Sequence, residues 1–152
     1  MKAVNLIFFP TGIPEDVVMA WEMDLNAKCR EVLGREGIDL HSFFFPIPEF
    51  DILESSAVSR HRLLAHCEIP ESAHDKMQEY TQLLASRLAE YARQSMPGER
   101  KNRPECRTIS IAVCVNAPKP DPLLLYLVKD KKDIWHEHWS DESSMHIHEP
   151  IV

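Results

Sequence analysis

The 152-residue chain predicts an α+β fold: a two-layer sandwich of β-α-β-β-α-β order with an extra C-terminal strand and tail. Three observations carry this. Residues 60–69 and 108–115 alternate along the chain in the period of a strand with two distinct faces. Residues 18–32 and 77–91 place apolar side chains at helical spacing. Each helical stretch lies between two strand-like runs, and helices set against one face of a sheet make a two-layer sandwich.

Ala3 to Phe9 is apolar on both faces and reads as a central strand. Thr11 to Pro14 turns the chain. Pro14 suits the first helical position, and Glu15 and Asp16 suit the positive end of a helix dipole. Val18, Trp21, Leu25, Cys29 and Val32 form the apolar stripe, and Gly34 and Gly37 are stop signals. A second strand runs from about Ile38 to Phe45, ended by Pro46 and Pro48, and Glu49 to Ser59 reads as a connecting loop. In the third strand, about Arg60 to Ile69, one face holds His61, Leu63, Ala65, Cys67 and Ile69. The other holds Arg60, Arg62, Leu64, His66 and Glu68.

Ser72 is the expected N-cap of the second helix, with Asp75 three residues on in the manner of a capping box. Met77, Tyr80, Leu84, Leu88 and Tyr91 make its stripe, and Pro97-Gly98 ends it. Arg100, Lys101 and Arg103 sit in a polar loop. The fourth strand spans Thr108 to Val115. Pro118, Pro120 and Pro122 form a stiff spacer before a fifth strand, Leu123 to Val128. The expected division is a sandwich over 1–118. Residues 119–152 then hold the spacer, the extra strand and an acidic His/Trp-rich tail, packed on the domain or on a neighbouring subunit.

Charge narrows the function classes. Asp plus Glu number 24 against 17 Lys plus Arg, a formal charge of -7, where a general nucleic-acid binder needs a basic surplus. From Asp121 onward there are seven acids and three lysines, so much of the imbalance is local. No window approaches the roughly 18 apolar residues of a membrane helix. Cys29, Cys67, Cys106 and Cys114 are far apart with no C-x-x-C pair, which reads as reduced thiols in a cytoplasmic protein. Phosphate-cradling glycine motifs and a G-x-S-x-G elbow are absent.

Two helices cover one sheet face only. The other face is expected to carry Arg62, Leu64, His66 and Glu68 beside Thr108, Ser110, Ala112 and Cys114, with Asn5, His41 or Ser42 and several Phe residues nearby. That mixture suits a second subunit, a ligand cleft or a half-solvated sheet. Arg62, His66 and Glu68 are the candidate ligand-binding residues.

The stretch Leu63-Leu-Ala-His-Cys-Glu-Ile-Pro-Glu-Ser72, the helix Met77 to Tyr91 and the strand Thr108 to Val115 resemble the second half of tautomerase-superfamily proteins. The resemblance is to the 5-carboxymethyl-2-hydroxymuconate isomerase branch and extends over about residues 1–118. A ferredoxin-like domain and the dimeric α+β barrel share the element order. The tautomerase resemblance implies a homo-oligomer, a trimer, that binds a small molecule and isomerises it through an N-terminal proline. This sequence begins Met1-Lys2-Ala3, so that proline has no counterpart. His66 matches the family's strand pattern without acquiring a catalytic role from it.

Trp135-His-Glu-His-Trp139 and His146-Ile-His148 each hold an H-x-H pair. In an extended segment residues i and i+2 share a side, so each pair offers two imidazoles to one ion. His136, His138, His146 and His148 are therefore candidate ligands for Zn or another transition metal, with Asp141, Glu142 or Glu149 as oxygen donors. Three functions follow from the sequence: a tautomerase-like oligomer that binds a small molecule, a metal-binding protein, or a non-catalytic assembly module.

Overall fold

The computed structural model describes residues 1–34, 37–47, 60–95, 108–116, 123–132 and 134–139. Over these the chain is α+β, with a six-stranded mixed sheet and two long helices. In chain order the elements are β1 (Lys2–Pro10), α1 (Glu15–Leu33), β2 (Asp39–Ile47), β3 (Arg60–Glu68), a short 3-10 helix (Glu71–Lys76), α2 (Met77–Ser95), β4 (Thr108–Val115), β5 (Leu123–Lys129) and β6 (Trp135–Trp139). The expected loop at 49–59, the basic cluster Arg100, Lys101 and Arg103, the three spacer prolines, Cys106, His146 and His148 lie outside the described residues.

The sheet order is β2-β1-β3-β4-β5-β6. β1 pairs parallel with β2, and β3 parallel with β4. β1 and β3 meet antiparallel between these pairs, and β5 and β6 extend the β4 side as antiparallel strands. The two strands joined through each helix are therefore direct neighbours. Ferredoxin-like domains use a split strand–helix–strand arrangement instead, which neither unit adopts here.

Alternation sets the faces. Ala3, Ile7 and Phe9 of β1, Leu40 of β2, Leu63, Ala65 and Cys67 of β3, Ile109, Ile111 and Val113 of β4, and Leu125 and Leu127 of β5 are buried in one core. Trp21, Leu25, Cys29 and Leu33 of α1 complete it with Tyr80, Leu84, Leu88 and Tyr91 of α2. In α1 the buried stripe ends on Leu33, and the expected Val18 and Val32 are only partly covered. Gly34 closes the helix in the left-handed conformation at φ 74°, its N–H donating to the Arg30 carbonyl.

The entry to α2 differs from the expected cap. Pro70 occupies the cap of the 3-10 helix, no side chain caps it, and the Ser72 hydroxyl instead donates to Met1 Sδ at 3.2 Å. The fixed φ of Pro70 and the tight turn start this segment without a serine cap. β2 runs on through Pro46, which is compatible with its place at the sheet edge.

A cross-brace ties the helices. Tyr91 Oη donates to Asp24 Oδ2 at 2.6 Å, and Arg87 reaches the same oxygen through Nε at 2.9 Å. The Tyr91 ring stacks on Trp21 with centroids 5.2 Å apart. At the far end of β4, Asn116 adopts φ 57°, its Oδ1 accepts from the Ile69 N–H at 2.7 Å and its Nδ2 donates to the Ile69 carbonyl at 3.1 Å. No helix among the described residues is long and apolar enough to cross a membrane.

Candidate functional site

Both helices pack on one side, so among the described residues the other face of the sheet is left open. Its composition follows from strand register. One row across the sheet is Phe45, Phe8, Leu64, Ala112 and Leu124, each paired with the next strand. The adjacent row is Phe43, Leu6, His66 and Cys114. Phe43, Phe45 and Leu64 are 48%, 43% and 38% exposed, and Phe8 stacks on Phe45 at 5.4 Å. Large apolar side chains contiguous on one exposed face mark an interaction surface rather than scattered surface apolarity.

The polar groups border this patch. Arg62, Ser110, Tyr126 and His138 form a row from β3 to β6. Glu68, Val4 and His41 form another at the opposite end. His41 Nε2 lies 2.9 Å from Asp39 Oδ2, and that hydrogen bond holds the Asp39 carboxyl below its ordinary range.

Arg62, His66 and Glu68 all lie on the open face, as the alternation of β3 requires, and all are exposed. His66 and Glu68 are neighbours, about 7 Å apart on one face of β3, and Arg62 stands away from both. At ~3.3 Å per residue, Arg62 stands about 13 Å from His66 and about 20 Å from Glu68 along β3. Each belongs to a different cross-strand row.

Asn5 and Ser42 are corrections. Both face the helices and are buried. β1 is apolar on both sides, so its sequence does not reveal which parity points inward. In the core Tyr80 Oη donates to Asn5 Oδ1 at 2.6 Å, and Asn5 Nδ2 donates to Ser42 Oγ at 3.1 Å and to Cys29 Sγ at 3.6 Å. Ser42 Oγ in turn donates to Asn26 Oδ1 at 2.6 Å. The network joins β1, β2, α1 and α2. Burial pushes the Cys29 thiol up to about 11 and drives the Tyr80 phenol and Cys67 thiol higher still. Desolvation thus favours the neutral forms of these three groups.

His136 and His138 lie on β6 and share the open-face side, with Glu137 on the other, as extended geometry dictates. Glu137 pairs with Arg93 of α2. His136 Nε2 is held by Asp130 Oδ2 at 2.7 Å, an oxygen that therefore fixes the imidazole. Among the described residues no three His, Cys, Asp or Glu side chains gather into a metal-binding group.

Sequence reasoning placed the open-face residues of β3 and β4 correctly and missed their neighbours. The Arg62–Ser110–Tyr126–His138 row depends on register between strands, which alternation within one strand does not encode. Comparison with protein-family models, curated proteins and solved structures finds no match.

Proposed function

We propose that the chain is a tautomerase-like, self-assembling protein whose open sheet face packs against another copy. The carrying observation is the exposure of Phe43, Phe45 and Leu64 on the face that the helices leave bare. Burying such side chains contributes ~1.5–3 kcal/mol each when fully removed from water. The tautomerase-like part of the reading rests on the sequence resemblance of residues 63–72, the helix Met77 to Tyr91 and the strand Thr108 to Val115. The distance of Arg62 from the neighbouring His66 and Glu68 favours assembly over one small-molecule site formed by all three.

Light scattering with Phe45→Asp and Leu64→Asp tests the reading. Wild type should have a multiple of the chain mass, and each variant should fall toward the mass of one chain while keeping its circular dichroism. A wild type that stays at one chain mass up to high concentration sinks it.

A further inference from the structure

We propose that two copies pack open face to open face about a two-fold axis running across the strands at the level of Ala65, so that Arg62 of each copy meets Glu68 of the other. This rests on the reading of the open face as an assembly surface. In a two-fold interface each residue meets the one mirrored through the axis. Arg62 and Glu68 share a strand and a face, and Ala65 is their midpoint.

Register carries this level across the sheet. Ala65 pairs with Ile7, Ile7 with Phe44, and Ala65 with Val113. The same axis therefore sets Leu6 against Phe8 on β1, Phe43 against Phe45 on β2, and Ala112 against Cys114 on β4. On β3 it sets Leu64 against His66. Apolar groups meet apolar groups on three strands, and the two charged residues meet with opposite signs. A two-fold axis along β3 instead sets Arg62 against Arg62 and Glu68 against Glu68, and like charges held together oppose association.

The part of the face that the two copies share spans β2, β1, β3 and β4, about 14 by 20 Å at ~4.8 Å between strands and ~3.3 Å per residue. That is smaller than the ~800 Å² each partner of a typical stable complex contributes, so the pair is expected to associate weakly and reversibly. Stacked sheets stand ~10 Å apart, a gap that an arginine and a glutamate reaching from opposite sides can bridge. The trimer implied by the tautomerase resemblance has no two-fold axis, so assembly mass separates the two arrangements.

Light scattering and sedimentation on wild type, Arg62→Glu, Glu68→Arg and the double charge swap test the pairing. Wild type should have twice the chain mass. Each single swap should weaken association by ~10-fold or more, and the double swap should restore it. Both positions are exposed, and circular dichroism checks that the variants fold. As an independent readout, mixing Phe43→Cys with Phe45→Cys and adding a short bismaleimide that spans the ~10 Å gap should give the cross-linked pair in preference to either variant with itself. A double swap no tighter than the singles, or no preference in cross-linking, overturns the pairing while the assembly face stands. A wild-type trimer overturns the two-fold axis, and a wild-type monomer overturns both.

Discussion

Tyr80 and Asn5 come from α2 and β1, 75 residues apart, and join at 2.6 Å inside the core. Asn5→Leu leaves Tyr80 Oη without its acceptor and removes a donor to Ser42, so urea denaturation should show a loss of about 1–3 kcal/mol. Tyr80→Phe strands the Asn5 carbonyl and should cost about 1–2 kcal/mol. The double variant should lose less than the two losses added together, because the second change removes a group already left unpaired.

The helix cross-brace gives a graded series. Tyr91→Phe keeps the stack on Trp21 and loses the bond to Asp24, and thermal melts should report ~1 kcal/mol. Tyr91→Ala also removes the ring from the core and should cost ~3–5 kcal/mol. Equal losses in the two variants would show that the ring contributes nothing.

Acid should loosen β6. The Asp130 carboxyl is held below its ordinary range by the His136 hydrogen bond and by the backbone N–H groups of Ile134 and Lys132. A depressed carboxyl stabilises the fold above its unfolded value, about 3.9, and that contribution disappears as pH falls through the lower folded value. Hydrogen-exchange protection across residues 130–139, measured against the intrinsic rate at each pH, should fall below about pH 4. Asp130→Asn should show lower protection at neutral pH and a smaller loss of protection in acid. An unchanged acid response in that variant would assign the effect elsewhere.

Cys29 and Cys67 should resist labelling in the folded protein. Both are buried with their thiols pushed up by desolvation. Mass spectrometry after a maleimide pulse at neutral pH should find neither modified until denaturant exposes them. Fast labelling of Cys29 would contradict the closed polar network around it.

What the sequence revealed depends on how unequal the two faces of each element are. β3 alternates Arg62, Leu64, His66 and Glu68 with Leu63, Ala65 and Cys67, so its inward parity was readable, as was that of β4. β1 offers Val4, Leu6 and Phe8 on one side and Ala3, Ile7 and Phe9 on the other, and both sides look like core. Asn5 was misplaced for that reason. Helix stripes were readable because Tyr80, Leu84, Leu88 and Tyr91 repeat over several turns. The Ser72 cap failed because a sequence match to a capping pattern does not reveal a competing partner, here the Met1 sulfur. The open face itself followed from counting helices, while its row pattern required the register of four neighbouring strands.

Asn116 faces two demands that different amino acids meet separately. Its backbone is left-handed, which glycine tolerates best. Its side-chain amide engages both peptide groups of Ile69 and so stands in for a missing stretch of strand. Glycine would satisfy the backbone and abandon Ile69, aspartate would keep the acceptor and lose the donor, and glutamine would keep the amide but place it one methylene too far out. Asparagine alone meets both, so this half-buried corner beside the core residue Ile69 is expected to tolerate less variation than many positions in the apolar interior.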